Sequence, residues 1–444
     1  MSRNPMKVGI LTLGCKVNQY ESEAIAEGLQ NNGFVIENHN KKCDIYIINT
    51  CTVTAESDRK ARQFIRRAIK KSPSAYIIVT GCMAQTAADE ISKISGVDYI
   101  CGNSKKLSVI EAAKKFAADN QKNEIPSILC EDIFEAPFEK MSIGRFDRTR
   151  AYVKIEDGCE NRCTYCIIPS ARGKVRSKPL NDVLSEVRTL TDGGCREVVL
   201  TGIETASYGK DLEDCTLADL LYEVDKIDGI GRVRLGSLDP SLMNEIFVNK
   251  IAGLRSLTPH FHLSLQSGSD NVLALMKRKY NSKMAMEAIE RIQKAIPNVH
   301  FTTDIIVGFP GETDEDFEKT VEFVKRAKFL SAHIFQYSKR KGTLAAAMPN
   351  QVPEQIKAER SARLIAIQNE ITNEILKEEC SARNEYYVLF ETHSDGFAHG
   401  HTDSFIEVSV RSECPMHSQI RKVRLVEAKG NYCIGELCEK GGEN

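Results

Sequence analysis

The chain runs to 444 residues, about three times the usual domain size of roughly 150, so two or three domains with a substantial core are expected. Hydrophobic residues make up 42 % and charged residues 27 %, ordinary globular proportions that exclude a disordered, coiled-coil or collagenous chain. The 60 basic and 61 acidic residues nearly cancel, so a nucleic-acid partner would be held by local basic patches and not by net charge.

The first third alternates apolar runs with helical stretches. VGILTL at 8–13 precedes a helix-like segment near 20–31, CDIYIINT ends at Thr50, and AYIIVTG ends at Gly81. Continuous apolar runs separated by helices mark parallel strands buried on both faces, so residues 6–120 read as an α/β domain with a doubly wound parallel sheet. Residues 121–144, with Pro126, Pro137 and Gly144 and no clear period, read as a linker. A second alternating series over 145–380 carries AYVKIEDG, REVVLTG, VRLGS, HFHLSLQSG, HFTTDIIVGFPGE and AHIFQYSK. Six such units suggest an open (β/α)6 partial barrel and not a closed eightfold one. Its trailing helix starts at Pro353 and carries Leu364, Ile367, Ile371 and Ile375 at helical spacing. Residues 381–444 switch to short strands such as EYYVLFE and SFIEVSV, a small all-β domain.

Fifteen cysteines are the compositional oddity. No run of 18 apolar residues occurs, and the start, MSRNPMKVGI, lacks an apolar signal stretch. A cytoplasmic protein with no membrane partner is expected, and there an odd number of thiols points to metal or redox chemistry. Cys159, Cys163 and Cys166 follow the first barrel strand in GCENRCTYC. Three thiolates from one loop can each hold one iron of a cubane cluster and leave the fourth iron open to a ligand. A zinc site, with Cys195 or a distant histidine as fourth ligand, is the structural alternative. Cys15, Cys51 and Cys82 each stand at the carboxyl end of a predicted parallel strand, the edge where open α/β sheets bind ligands. They can converge there, or simply cap their strands as core residues. Cys101, after VDYI, has a comparable place.

Barrel strand ends face the site, which singles out Thr201, Gly202 and Glu204 after the second strand and Gln266 and Ser267 after the fourth. Gly308 and Gly311 in VGFPGE either let backbone approach a ligand or serve only to leave a strand. In RKARQFIRRAIKK, Ala61, Phe64, Ile65, Ala68 and Ile69 share one helical face. Arg59, Lys60, Arg62, Arg66, Arg67, Lys70 and Lys71 share the other, which suits RNA phosphates or plain solvation. Arg172, Lys174 and Arg176 in ARGKVRSK, and RKVR at 421–424, add to an RNA-binding case. Residues 383–444 weaken it, with seven Lys or Arg against ten Asp or Glu.

The spacing Cys-x3-Cys-x2-Cys, with Tyr165 just before the last cysteine, resembles the radical S-adenosylmethionine enzymes. In those enzymes the open iron is chelated by S-adenosylmethionine, whose cleavage gives a 5′-deoxyadenosyl radical. A wider resemblance spans nearly the whole chain: TLGCKVNQYES, NTCTVT, GCMAQ, LSLQSGSD and DIIVGFPGET are similar to the methylthiotransferases of that superfamily. That family joins an N-terminal domain, a radical barrel and a C-terminal TRAM domain that binds RNA. The resemblance implies two [4Fe-4S] clusters, one on Cys159, Cys163 and Cys166 and an auxiliary one on Cys15, Cys51 and Cys82, with Cys101 outside the set. It implies S-adenosylmethionine as radical source and methyl donor, with Tyr165, Thr201, Gly202, Glu204, Gln266, Ser267, Gly308 and Gly311 as candidates for binding it. Implied partners are transfer RNA and an electron donor such as flavodoxin or ferredoxin, with the enzyme a monomer. CKVNQ resembles the branch that modifies N6-threonylcarbamoyladenosine beside the anticodon, and not the CQMN-like form of the isopentenyladenosine branch. Glu204 and Ala206 stand where His and Gly are commoner in the family, and Gly236 and Asp239 where Ser and Glu are. The competing readings are the same reaction on isopentenyladenosine or on a ribosomal-protein aspartate, and a non-enzymatic iron–sulfur or zinc protein that regulates by binding RNA.

Overall fold

The computed structural model describes residues 5–146 and 148–438. Six parallel strands open the chain: β1 (Lys7–Thr12), β2 (Val35–Glu37), β3 (Ile45–Thr50), β4 (Tyr76–Gly81), β5 (Tyr99–Cys101) and β6 (Ser127–Leu129), in spatial order β2-β1-β3-β4-β5-β6. Every residue of β3 and β4 is buried, as their unbroken apolar sequence requires when helices cover both faces. Helix α1 (Lys16–Asn31) and the helix Ser108–Asp119 cover one face through Ile25, Leu29, Val109 and Phe116. The helix Ala55–Lys71 covers the other through Ala61, Ile65 and Ala68. The strand order reverses between β1 and β3, and a doubly wound sheet leaves a crevice at the carboxyl ends there.

The stretch read as a linker is not a tether. It begins with β6, paired parallel to β5, and then buries Met141 and Ile143 in the core of the second unit. That unit contains β7 (Ala151–Lys154), a two-residue pair β8 (Glu156–Asp157) and β9 (Arg176–Ser177), then β10 (Glu197–Thr201), β11 (Arg232–Leu235), β12 (His260–Gln266), β13 (His300–Val307) and β14 (Ser331–Gln336). Its six parallel strands form two sets of three, β11-β10-β7 and β12-β13-β14, joined by single bridges at Val233–Leu257 and Leu238–Leu263. Phe261, Leu263 and Leu265 of β12 pack outward with the helix residues Ile289, Ile292, Phe317 and Val321. The alternate residues His260, His262 and Gln266 therefore face the interior of the open barrel.

Helix α1 closes the side of the barrel beside β7. Its Tyr20 hydroxyl lies within hydrogen-bond reach of the carbonyl of Met141 (2.8 Å) and of Glu186 (2.9 Å), and its Glu21 pairs with Lys154 of β7 (2.8 Å). The helix Glu354–Ser381 buries Leu364, Ile371 and Ile375 against the barrel, the face its sequence spacing gave. The last strands, β15 (Glu385–Ser394), β16 (Phe397–Thr402), β17 (Glu407–Arg411), β18 (Ile420–Lys429) and β19 (Tyr432–Leu437), close into a small barrel in the order β15-β16-β17-β19-β18. It seals the lower end of the larger one: Phe405 stacks between His260 (4.5 Å) and His401 (4.7 Å), and Arg234 donates to the carbonyl of Asp403 (3.1 Å). Among the described residues no helix is long and apolar enough to cross a membrane.

Candidate active site

The three N-terminal cysteines meet at the switch point of the sheet. Cys15 follows β1, Cys51 follows β3 and Cys82 follows β4. Gly14 has φ +100°, and a Cβ there would stand 2.7 Å from Cys51 Cβ, so only glycine lets the β1 loop approach Cys51 this closely. Burial raises the Cys15 thiol, with Cys82 adding to the effect and Arg172 opposing it. Burial, followed by the neighbouring Cys82, pushes Cys51 up to about 11. Cys15 keeps solvent-accessible surface.

The second trio sits on the barrel's upper rim. Gly158 (φ +90°) turns the chain out of β8, and a Cβ there would lie 1.8 Å from the carbonyl oxygen of Lys174, a clash that backbone cannot relieve. Cys159 and Cys163 are buried and Cys166 is half-buried. Burial, and then Cys163 nearby, carries the Cys166 thiol to about 12. Arg278 donates through Nη1 to Cys163 Sγ (3.3 Å), through Nη2 to Asp239 (2.8 Å) and through Nε to the Tyr280 hydroxyl (3.1 Å).

Two side chains link the neighbourhoods of the trios. Arg172 ends the short helix Ile168–Arg172 that follows Cys166, and its Nε donates to Cys82 Sγ (3.3 Å). Arg340, beyond β14, pairs with Asp58 (2.8 Å) and donates to Thr52 beside Cys51 (2.7 Å). Below lies a buried ion network: Glu21 takes Lys106, Lys154 and Arg172, and Asp157 takes Lys154 (2.6 Å), Arg172 (3.2 Å) and Arg176 (3.7 Å). Burial pushes the Asp157 carboxyl up, but Arg172, Lys154 and Arg176 more than offset this and bring it to about 2.

This network corrects the RNA-binding expectation for Arg172 and Arg176. Arg172 is wholly buried, and Arg176 is 8 % exposed with Nη2 donating to the carbonyl of Arg172 (2.6 Å), so neither presents its charge to a phosphate. Lys174 does reach the surface, near Glu135 (3.6 Å). On the helix Ala55–Lys71, Arg66, Arg67 and Lys70 are exposed, while Arg59 is tied to Glu56 (2.6 Å) and Arg62 to Glu90 (3.5 Å).

The remaining candidates divide. Asn161, inside the cysteine loop, donates to Glu204 (3.2 Å), and the Glu204 backbone N–H donates to buried Glu156 (2.8 Å). Burial raises Glu204 to about 7, with Asp239 adding to the rise and Arg278 opposing it. Thr201 ends β10, and a Cβ on Gly202 would strike Glu156 Oε2 at 2.5 Å. Gln266 ends β12 in the left-handed region (φ 70°) at a register shift. Ser267 is committed to its turn, bonding Thr320 (3.2 Å) and accepting from the Ser269 N–H (3.2 Å). Gly308 and Gly311 serve the exit from β13, donating to Glu312 (2.9 Å) and to the carbonyl of Asn350 (2.9 Å). The Tyr165 ring packs edge-on to Phe309 (6.3 Å). Cys101 bonds Ser108 (3.2 Å) and the Lys105 carbonyl (3.1 Å) under the helix Ser108–Asp119, away from the trio. Sequence reasoning missed Arg278, Asn161 and Glu156, because no local pattern marks a residue whose partner lies on another strand.

The donor sets can be tested against a single ion. Tetrahedral zinc with sulfurs at about 2.3 Å draws them to within about 4 Å of one another. In neither trio do all three sulfurs lie within 4.8 Å of each other. A cubane binds each sulfur to a different iron, and its positive irons stabilise thiolates that burial alone disfavours. Cys195 is buried with its thiol on the Glu197 carbonyl (3.2 Å) and completes no zinc site.

Comparison with known proteins agrees. The Radical SAM superfamily model matches residues 153–324, and that of the Uncharacterized protein family UPF0004 matches residues 7–102. The threonylcarbamoyladenosine tRNA methylthiotransferase MtaB of Bacillus subtilis is 38 % identical, covering 97 % of this chain and 96 % of the relative. The chain belongs to the radical SAM tRNA methylthiotransferases. A second relative of this methylthiotransferase, the tRNA-2-methylthio-N(6)-dimethylallyladenosine synthase of Aquifex aeolicus, is 34 % identical over 98 % of this chain and 99 % of its own. The radical S-adenosylmethionine methyltransferase TsrM of Kitasatospora setae has the same fold at 14 % identity (TM-score 0.57, 77 % of each chain). The methylthiotransferase family uses [4Fe-4S] clusters and S-adenosylmethionine.

Proposed function

We propose that this methylthiotransferase acts on N6-threonylcarbamoyladenosine beside the anticodon of transfer RNA, replacing the hydrogen on carbon 2 of the adenine with a methylthio group. The observation that carries the reading is a pair of cysteine trios, one following β1, β3 and β4 and one in the loop after β8, linked through Arg172, which follows Cys166 and donates to Cys82. The CKVNQ segment, and relatives named threonylcarbamoyladenosine tRNA methylthiotransferase that align along nearly the whole chain, support the substrate. A hydrogen on that carbon is not acidic, so side-chain bases are unsuited to removing it. The bound clusters and S-adenosylmethionine supply the radical chemistry, the sulfur and the methyl group.

The chain's own residues place, tune and exclude. Cys159, Cys163 and Cys166 would hold the cluster that binds S-adenosylmethionine, and Cys15, Cys51 and Cys82 the auxiliary one. Arg278 and Arg172 each donate to a ligand sulfur, a contact that sets cluster potential. Glu204, its carboxyl raised by burial, accepts from Asn161 beside the Cys159 loop. Tyr165, Thr201, Gly202 and Gln266 shape the same rim. Phosphates would meet Arg66, Arg67 and Lys70, with Arg59, Arg62 and Lys174 at the margin, and the C-terminal barrel as a second RNA surface. The enzyme would work as a cytoplasmic monomer and draw electrons from a donor such as flavodoxin or ferredoxin.

Mass spectrometry of transfer-RNA nucleosides tests the substrate. Cells lacking the gene, and any second enzyme of this branch, should lose 2-methylthio-N6-threonylcarbamoyladenosine and keep the isopentenyl derivative. The reverse pattern would assign the protein to the reading that its dimethylallyladenosine-type relatives favour.

A further inference from the structure

One face of the barrel interior gathers a further set of metal donors. His262 of β12, Asp304 of β13 and His333 of β14 sit on adjoining parallel strands. Asp304 stands opposite His333 in the ladder, and His262 stands opposite Thr302, two residues before Asp304 and therefore on the same face. Their donor atoms converge. Asp304 Oδ2 lies 3.2 Å from His262 Nε2, Asp304 Oδ1 lies 3.1 Å from His333 Nδ1, and one ligand atom from each residue falls within 4.8 Å of the other two. Among the described residues no other three histidine, cysteine, aspartate or glutamate side chains meet so closely.

The chemistry of the donors selects the ion. Two imidazoles and one carboxylate are the ligand set of open transition-metal sites, in zinc and in non-haem iron enzymes alike, whereas magnesium and calcium take oxygen ligands. Ligands about 2.1 Å from a tetrahedral ion stand about 3.4 Å apart, close to the spacings found here. A ligating imidazole also needs its other nitrogen held. With an ion on Nε2, the His262 proton sits on Nδ1, 2.9 Å from Thr302 Oγ1, and the Thr302 hydroxyl in turn lies 3.0 Å from His260 Nε2. Side-chain exposure rises from 13 % for His262 through 27 % for Asp304 to 66 % for His333, toward the edge strand β14. The remaining coordination positions would therefore open at that edge.

We propose that His262, Asp304 and His333 bind a divalent transition-metal ion, zinc or ferrous iron, inside the barrel, as a metal centre separate from both iron–sulfur sites. The carboxylate offsets one of the ion's two charges, so the open positions suit water or an anionic oxygen donor. The site uses none of the six cluster cysteines and does not depend on which adenosine is modified. Without an ion, Asp304 is only an acceptor between two imidazoles, and metal binding separates the two cases.

The test titrates zinc by calorimetry into the anaerobically reconstituted, cluster-loaded full chain and records the zinc X-ray absorption edge, which iron does not obscure. One zinc per chain is expected, with nitrogen and oxygen ligands at about 2.0–2.2 Å and no sulfur at about 2.3 Å. His333→Ala, which removes a mostly exposed side chain, and Asp304→Asn, which keeps its shape, should leave iron content unchanged. Each should weaken zinc binding by at least about tenfold, the least that loss of even an outer partner of a metal site typically costs. No zinc bound by the loaded enzyme, sulfur in the zinc coordination shell, or equal affinity in the wild type and His333→Ala would overturn the assignment. The wild-type titration and absorption edge need no variant to fold.

Discussion

Arg172 bridges the N-terminal domain and the radical barrel and has no contact with solvent. Its guanidinium divides among Cys82, Asn18, Glu21 and Asp157, four residues drawn from both large domains. In sequence it stands in ARGKVRSK among other basic residues and reads as a surface cation, because burial of an arginine depends on partners far along the chain, here Glu21, 151 residues away. Removing it leaves two buried carboxylates short of a cation, which typically costs about 3–5 kcal/mol. Arg172→Met should show that loss in denaturant unfolding, whereas Arg172→Lys should keep part of the charge pairing and lose the fork to Asn18. A loss below about 1 kcal/mol for the methionine variant would mean that the network relaxes around the gap.

The helix Ala55–Lys71 is legible in the sequence, since amphipathic period is a local property. Ala61, Ile65 and Ala68 are buried where the pattern put them, and Thr54 caps the helix by accepting from the Ser57 N–H (3.1 Å). What the outer face does depends on an RNA surface that no local pattern describes. Arg66→Ala, Arg67→Ala and Lys70→Ala together should weaken transfer-RNA binding and lower the slope of log affinity against log salt by about two to three, roughly one per lost phosphate contact. Stability should change by less than about 0.5 kcal/mol per site, because all three side chains are exposed. An unchanged salt slope would remove this helix from the RNA interface.

At the scale of the molecule, Glu197 joins the floor of the radical barrel to the C-terminal domain. It pairs with three arginines, and those arginines reach Tyr387, Asp403 and Glu391 of the smaller barrel. Burial raises the Glu197 carboxyl, but Arg234 and Arg150 more than reverse this and hold it at about 2. A carboxyl held below its unfolded value of about 4.3 adds stability that is present above that pH and is lost as pH falls toward 2. Glu197→Gln should therefore destabilise the protein at neutral pH and flatten the fall of stability between about pH 4.3 and 2. Parallel acid-unfolding curves for the two proteins would show that the arginines do not depend on this carboxylate.

The amino-acid sequence by itself determined the two α/β units with their parallel strands and the small all-β unit, because apolar runs and turn residues are written within a few neighbouring positions. Tertiary structure alone decided that the supposed linker supplies the sixth strand, that Arg172 and Arg176 are interior ions, and that Arg278 and Asn161 belong to the radical loop. The reason is physical: strand pairing, burial of charge and the meeting of two loops are free energies between groups far apart along the chain, and only the folded arrangement sets the distances on which they depend.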